Sequence, residues 1–280
     1  MFKILRKTAQ TGLVTIGYPA APAPMPQRFR GAPRFDFSGW RDARPAAEVC
    51  PTEAISIRES PDTRQVTVDY GLCIYCGQCA EADPSGAVQI TSEFELAATD
   101  RRDLVVTAEY AVNADGIQYE LKTRHPGTSE KLEHKVRDRI HRVLGRSLAI
   151  REVDAGSCNG CEVEITALNN PVYDLERLGI HFVASPRHAD MLLVTGPVTR
   201  NMELALMKTY RAMPDPKVVA AVGACGISGG IFGRNYATLG GVDQVIPVDV
   251  FVPGCPPRPE ALLQGILLAV GRIERKGLPQ

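Results

Sequence analysis

The sequence lacks an apolar run long enough to cross a membrane, which takes about 20 residues in a helix. Its longest candidates, Val218–Val222 and Ile266–Val270, are far shorter. At the N-terminus, basic residues precede an apolar stretch from Gly12 to Gly17, which is shorter than the ~7–15 apolar residues of a secretory signal. No twin-arginine pair precedes that stretch. We therefore expect a cytoplasmic protein.

The sequence also lacks net charge and the glycine motifs of nucleotide-binding loops. Lysine and arginine together number 32, as do aspartate and glutamate, so no overall field attracts the chain to nucleic acid. The glycine-rich stretch at 223–233 contains neither G-x-x-x-x-G-K-[ST] nor G-x-G-x-x-G, so we expect no bound nucleotide. The five histidines form no metal-binding pairs, and His134 and His141 lie on a predicted basic amphipathic helix, Glu130–Leu144, as solvated groups.

Eight cysteines are present, and they fall into two sets of four that are separated by a long stretch without cysteine. The chain of 280 residues is long enough for two domains. A cytosolic chain of this length does not need disulfides to fold, and close groups of cysteines in such chains usually bind metal. The two sets are Cys50, Cys73, Cys76 and Cys79, and Cys158, Cys161, Cys225 and Cys255.

The first set has the spacing of a bacterial iron–sulfur motif. Cys73, Cys76 and Cys79 form C-x2-C-x2-C, which normally continues with x3-C-P, and the cysteine of that pair binds the other cluster of a two-cluster ferredoxin. Here the corresponding position holds Asp83, but a Cys-Pro pair occurs upstream at Cys50. These four cysteines therefore predict one [4Fe–4S] cluster.

The same spacing indicates that a second cluster of the ancestral motif has been lost. Four, seven and ten positions before Cys50 lie Ala46, Ala43 and Trp40, which together with Asp83 occupy the ligand positions of that cluster. All of its ligands are replaced, whereas all ligands of the other cluster are kept, a division that random loss of cysteine would seldom produce.

Short strands follow both halves of the motif, and this twofold pattern predicts an α+β ferredoxin-like domain at residues 38–97, after an N-terminal extension at 1–37. Residues 98–146 are predicted to link this domain to the next through a hairpin at Leu104–Leu121 and the basic helix. The strands of the ferredoxin-like domain are predicted at 52–57, 66–70 and 87–90.

The second set lies in an alternating pattern of strands and helices, which predicts an α/β flavodoxin-like domain with a parallel sheet at residues 147–280. Sites in such sheets form at the carboxyl ends of the strands, and Cys158, Cys225 and Cys255 each follow a predicted strand. We therefore expect these cysteines to gather at one edge, in loops whose glycine or proline residues leave N–H groups free to bond cluster sulfur. Strands are predicted at 148–153, 191–194, 217–222 and 248–252, and helices at 162–168, 202–213 and 260–275.

Zinc is the main alternative for both sets, because it also binds four cysteines. Zinc ribbons normally pair two C-x2-C units, which the first set does not match, whereas the spacing of the second set leaves zinc open. Disulfides, or inert buried thiols at single positions, are further alternatives. Glu162 and Glu164 closely follow Cys161 at a predicted helix start, where the helix dipole favours acidic residues in any case, and a proton relay through either glutamate is a hypothesis.

Four stretches of the second domain carry a family resemblance. In order, they read DAGSCNGCE at 154–162, VTGPVT at 194–199, GACGIS at 223–228 and VPGCPP at 252–257. On these stretches the chain resembles the small electron-transfer subunit of membrane-bound energy-converting [NiFe] hydrogenases, including formate hydrogenlyase, and the related B-type (PSST) subunit of respiratory complex I. The complex I subunit typically has its first two cysteines adjacent, whereas two residues separate Cys158 from Cys161 here, as in the hydrogenase branch.

The N-terminal part, at 1–3, 17–19 and 29–31, resembles the ferredoxin-like subunit of formate hydrogenlyase-type complexes. The whole chain therefore resembles a fusion of two subunits that are often separate. That ferredoxin-like subunit usually carries two clusters, whereas this chain keeps the ligands of one.

The resemblance implies an electron-transfer subunit of an oxidoreductase complex, with two [4Fe–4S] clusters and no catalytic residues of its own. It implies that the second set of cysteines holds the cluster nearest a large catalytic subunit, which would carry any nickel. Other membrane-arm subunits are further expected partners, and they would hold the chain peripherally on the inner face of the cell membrane. The alternatives left open are a nickel-free, complex I-like NADH/quinone oxidoreductase component and a zinc-stabilised scaffold without a redox role.

Overall fold

The computed structural model describes residues 2–125, 127 and 146–277. The predicted basic helix Glu130–Leu144, with His134 and His141, lies outside these residues. Within them, no helix is both long enough and apolar enough to span a membrane.

The first half of the described chain consists of short elements around two antiparallel sheets. In chain order these elements are α1 (Phe2–Thr11), β1 (Pro33–Phe35), α2 (Arg44–Glu48), β2 (Ile55–Glu59), β3 (Thr63–Asp69), α3 (Gln78–Ala82), β4 (Val88–Ile90), β5 (Val105–Val112) and β6 (Gln118–His125). Strands β1 and β4 form one antiparallel pair, and the other sheet has the order β2-β3-β5-β6. Every second residue of β3 is buried, as expected for a sheet with one face on the core. The three strands predicted here are confirmed as β2, β3 and β4, with ends shifted by up to three residues.

The predicted hairpin at Leu104–Leu121 is confirmed as β5 and β6. Strand β5 pairs with β3 over the whole length of β3, so the hairpin forms half of the four-stranded sheet. Its turn includes Gly116 at a φ of 76°, a left-handed conformation that glycine adopts without strain. This segment therefore extends the first domain besides connecting it to the second.

The second half forms a parallel five-stranded sheet. Its elements are β7 (Leu148–Asp154), α4 (Gly160–Ala167), β8 (Ile180–Phe182), β9 (Met191–Thr195), α5 (Arg200–Ala212), β10 (Val218–Val222), α6 (Gly223–Ser228), β11 (Val250–Val252) and α7 (Pro259–Gly277). The strands are arranged in the order β8-β7-β9-β10-β11, which is the order of flavodoxin-like sheets. Every residue of β9 and β10 is buried, because helices cover both faces of a parallel sheet.

All four strands and all three helices predicted for this half are confirmed, with shifts of up to two residues at their ends. Two elements of this half, β8 and α6, were not predicted from the sequence. Strand β8 has only three residues, and α6 occupies the glycine-rich stretch that was predicted as a loop. The placement of Cys225 in a loop was therefore wrong, because Gly223 begins a helical turn with a φ of 75° and Gly229 ends it with a φ of 92°.

The two halves are joined by an interface that includes backbone hydrogen bonds. Ala98 forms an isolated antiparallel bridge with Phe251 of β11, and the Ala97 N–H donates to Oε1 of Gln264 at 3.1 Å. Tyr70, directly after β3, packs against the hydrophobic cores of both halves. The segment after β4 is thereby attached to the edge of the parallel sheet.

Candidate functional site

The four cysteines of the first set line one cavity in the first domain. Cys50 follows α2, and Cys73, Cys76 and Cys79 lie on the segment that runs from β3 into α3. The structure thus brings together all four residues that the spacing predicted. The rest of the described lining is mainly apolar and includes Pro33, Phe35, Ala54, Ile55, Val68 and Ile74.

The loop of the first set is shaped by two residues with left-handed backbone conformations, Tyr75 (φ 57°) and Gly77 (φ 86°). The Tyr75 N–H donates a hydrogen bond to the Cys73 sulfur. From the N-terminal extension, Arg30 Nη1 donates to the carbonyl oxygen of Cys76 at 2.7 Å. These contacts hold the loop around the cavity.

Burial controls the acidity of the first set. The pKa of Cys73 is raised to about 12 and that of Cys79 to about 11, mainly by burial and to a smaller extent by the neighbouring cysteines. The thiolate is the form that binds metal, so a positively charged group has to compensate for the loss of these protons. A set of buried thiols without a basic partner in its cavity lining therefore suits a metal cofactor.

The four cysteines of the second set lie at the carboxyl edge of the parallel sheet. Cys158 follows β7, Cys161 lies in the first turn of α4, Cys225 lies in α6, and Cys255 follows β11. Burial raises the pKa of Cys161, and Glu162 and the other three cysteines raise it further, so all four thiols are within electrostatic reach. This is the edge at which the strand pattern predicted them to gather.

The two sets differ in exposure. Cys158 and Cys255 are exposed, whereas Cys161, Cys225 and all members of the first set are partly buried. The side chain of Val163, beside the second set, is also exposed, with 66% of its surface accessible. The second set therefore opens to the molecular surface on the side of α4.

Glycine backbone lies directly against two thiols of the second set. A Cβ atom on Gly223 would be 2.8 Å from Cys161 Sγ, and a Cβ atom on Gly230 would be 2.9 Å from Cys225 Sγ. Both glycines have positive φ values, so a side chain is disfavoured at each by conformation as well as by space. A group bound at these thiols is thus approached by main chain instead of side chains, as the sequence predicted for this set.

The two glutamates predicted as proton-relay candidates have different surroundings. Thr195, the last residue of β9, donates its hydroxyl hydrogen bond to Oε1 of Glu162. Oε2 of Glu162 is buried and has no hydrogen-bond partner among the described residues. Burial raises the pKa of Glu164, while the nearby Arg258 guanidinium opposes that shift. A relay through either glutamate stays a prediction.

Sequence reasoning missed Arg258, which follows the loop of Cys255 and ties that loop to the N-terminal extension. Its guanidinium donates to both carboxylate oxygens of Glu260, at 2.6 and 2.5 Å. It also lies 4.7 Å from the ring centre of Phe29 and 5.5 Å from that of Phe94. The charged pair in Pro-Arg-Pro-Glu, directly after the last cysteine, was the available signal.

The four positions that the spacing assigned to a lost cluster lie in the hydrophobic core or are buried beside it. Trp40, Ala43 and Ala46 are at most 1% exposed and belong to the core of the first domain. The carboxylate of Asp83 accepts hydrogen bonds from the Ser85 hydroxyl and from backbone N–H groups. The replacements therefore have structural partners of their own.

Within residues 2–125, 127 and 146–277, no three His, Cys, Asp or Glu side chains converge on the position of a single metal ion.

The second half of the chain is similar to known proteins. The family described as NADH ubiquinone oxidoreductase, 20 Kd subunit, matches residues 158–269. Formate hydrogenlyase subunit 7 of Escherichia coli is 51% identical over 133 residues, which are 48% of this chain and 52% of that protein. The chain thus spans about half the length of that relative.

Two further relatives are similar over comparable lengths. The probable membrane-bound hydrogenase subunit mbhJ of Pyrococcus furiosus is 48% identical over 146 residues, which are 52% of this chain and 87% of that protein. The B-type subunit of the NADH-quinone oxidoreductase of Bacteroides thetaiotaomicron is 50% identical over 123 residues, which are 44% of this chain and 59% of that protein. The resemblance predicted from the four motifs of the second domain is confirmed.

Proposed function

Because the chain belongs to the family of the NADH ubiquinone oxidoreductase 20 Kd subunit, as its 48% sequence identity over 87% of the length of mbhJ shows, we propose that it is an electron-transfer subunit of a membrane-associated oxidoreductase complex. It relays electrons through two [4Fe–4S] clusters to or from the catalytic subunit of a partner. The observation that carries this proposal is the gathering of four cysteines in each half of the chain, the first set around one cavity and the second within electrostatic reach of Cys161. Chemistry on substrate takes place on the partner subunit.

The first cluster is assigned to Cys50, Cys73, Cys76 and Cys79. The surrounding fold supports a ferredoxin-like site, because the pairs β1–β4 and β2–β3 are each accompanied by one short helix, α2 or α3. The donor set also fits, since iron–sulfur clusters are held by four thiolates and their potentials depend on burial and on hydrogen bonds to sulfur. Burial at this site comes from the apolar lining of the cavity.

The second cluster is assigned to Cys158, Cys161, Cys225 and Cys255. Two of these thiols are exposed, which supports a position beneath a partner surface, because a cluster that exchanges electrons with another subunit has to lie near it. The partner is a large catalytic subunit, and other membrane-arm subunits hold the complex to the inner face of the cell membrane. The chain is then a fusion of two electron-transfer modules that work in series.

Spacing supports a cluster in preference to zinc for the first set, because C-x2-C-x2-C with a distant Cys-Pro pair does not match the two C-x2-C units of a zinc ribbon. The spacing of the second set leaves zinc open, so its assignment to a cluster rests on the similarity of the second half to hydrogenase subunits. Analysis for iron and zinc decides between the two metals.

We propose a hydrogenase or formate hydrogenlyase-like complex as the setting, because the separated Cys158 and Cys161 resemble the hydrogenase branch. The second candidate is a nickel-free NADH/quinone oxidoreductase, which the 50% identity to the B-type component of an NADH-quinone oxidoreductase favours. Nickel analysis of the isolated complex separates them, since nickel would be bound by the large subunit.

Single-cysteine variants test the ligand assignment. Cys76→Ala should remove the electron paramagnetic resonance signal of the first reduced cluster and leave that of the second, and Cys225→Ala should do the reverse. Gln78→Ala is the matched control, because Gln78 is exposed and lies between two proposed ligands. Unchanged iron content in Cys76→Ala would contradict the assignment of the first set.

A further inference from the structure

The loop of the first cysteine set and the helix of the second meet at a hydrogen bond. Ser228, the last residue of α6, has its hydroxyl 3.0 Å from the carbonyl oxygen of Gly71. Gly71 precedes Cys73 by two residues, and Ser228 follows Cys225 by three. The same hydroxyl lies 2.9 Å from the carbonyl oxygen of Ala224, so its proton is shared between the two acceptors.

The acceptor side of this contact is held in place by an ion pair. The Gly71 N–H donates to Oδ1 of Asp69 at 2.8 Å, and Arg101 binds both carboxylate oxygens of Asp69, at 2.8 and 2.6 Å. A Cβ atom on Gly71 would lie 2.7 Å from the Arg101 guanidinium carbon. A side chain at position 71 would therefore displace the Arg101 guanidinium that holds Asp69.

The donor side is also fixed. The N–H of Gly229 donates to the carbonyl oxygen of Cys225 at 2.8 Å, and the N–H of Gly230 donates to the Ser228 hydroxyl at 3.3 Å. Most other residues of α6 are buried, including Gly226 and Ile227. Beside the contact, Tyr70 packs against the cores of both halves, which keeps the junction closely packed.

A backbone junction between the halves, Ala98 with Phe251, is connected to the cysteines by longer stretches of chain. Ala98 lies far from Cys79 in the sequence, and Phe251 precedes Cys255 by four residues. Of these two contacts, that of Ser228 with Gly71 is connected to the cysteines by fewer residues.

We infer, on the basis of the proposed function, that the Ser228–Gly71 hydrogen bond carries electron transfer between the two cluster sites. The rate of electron tunnelling falls less steeply with distance along covalent bonds and hydrogen bonds than across a gap between atoms. A short bonded connection therefore dominates the rate of electron transfer. One electron, supplied by a low-potential one-electron donor, leaves the cofactor of the first set and arrives at that of the second. No covalent bond forms or breaks, and the shared proton stays on Ser228.

The test compares Ser228→Ala with Ser228→Thr, which keeps the hydroxyl group. The control is Thr15→Val, because Thr15 also donates a long-range hydroxyl hydrogen bond, 2.8 Å to the carbonyl oxygen of Pro171, and neither residue neighbours a cysteine in the sequence. The full chain receives less than one electron per molecule by pulse radiolysis. Rapid freeze-quench electron paramagnetic resonance then follows the redistribution of that electron between the clusters.

Ser228→Ala should slow the redistribution several-fold, whereas Ser228→Thr and Thr15→Val should leave it near the rate of the unaltered chain. Iron content and the magnetic coupling between the two reduced clusters, which reports their separation, should be the same in all variants. An unchanged rate in Ser228→Ala with full iron content overturns the inference. A slower rate that is accompanied by altered magnetic coupling also overturns it, because the hydroxyl group would then have a purely structural role. Absence of iron from the unaltered chain contradicts the proposed function instead.

Discussion

Replacement of Trp40 by alanine tests whether the position of the lost cluster has become an essential part of the core. The indole is 1% exposed, and its ring centre lies 5.2 Å from that of Phe35 and 6.1 Å from that of Phe37. Truncating a buried tryptophan to alanine costs about 3–5 kcal/mol, and loss of the ring pairs adds to this. In a domain of roughly 100 residues, each kcal/mol lowers Tm by ~4–8 °C, so Trp40→Ala should lower Tm by at least about 12 °C.

Trp40→Phe is the matched control. The indole N–H of Trp40 is buried and has no partner among the described residues, so phenylalanine removes an unsatisfied donor while it keeps most of the aromatic volume. We expect a clearly smaller loss than for alanine, measured by circular dichroism at a fixed heating rate, because Trp40 is the only tryptophan and its fluorescence is lost in both variants. Equal losses in the two variants, or no loss in Trp40→Ala, would refute the packing argument.

Three further outcomes follow from the structure. Gly223→Ala should lower the iron content of the second site, because its Cβ atom would be 2.8 Å from Cys161 Sγ, whereas Gly233→Ala, also at positive φ but with open space around it, should not. Tyr18 donates a hydrogen bond to the carboxylate of Glu95, and burial together with this bond raises the pKa of Tyr18 above its ordinary value of 10.0. The contribution of Tyr18 to the free energy of unfolding is therefore fully present below pH 10 and is lost as the pH rises beyond that value. The difference in unfolding free energy between wild type and Tyr18→Phe should therefore shrink above pH 10, and a constant difference would argue against this linkage. Asp83→Cys alone should add no cluster and no iron, because the other three ligand positions lack cysteine.

The parallel sheet could be predicted from the sequence because its strands have a strong local signal. The apolar runs that became β9 and β10 are buried throughout, so sequence and structure agree at these strands almost residue by residue. Strand β8, at Ile180–Phe182, has three residues, which is too short for any periodic pattern. The helix at Gly223–Ser228 was missed because glycine has a low helix propensity, and here tertiary packing overrides that preference.

Membership of the first cysteine set could also be predicted from its spacing, and that of the second from the positions of its cysteines after predicted strands. The contacts that connect the sets could not. The hydrogen bond from Ser228 to Gly71 joins residues 157 positions apart, and no local pattern indicates such a partner. Likewise, the hairpin at Leu104–Leu121 was predicted from its Asp115-Gly116 turn, whereas its pairing with β3 depends on the tertiary fold.

The most direct test of the account is elemental analysis of the complex isolated without oxygen. Two [4Fe–4S] clusters require about eight iron atoms per chain beyond those of other subunits, and nickel in the same sample would identify the partner as a hydrogenase. Iron without nickel would identify the nickel-free relative and would leave the electron-transfer role intact. About two zinc atoms per chain and no iron, one for each set of four cysteines, would contradict the central claim that this chain transfers electrons.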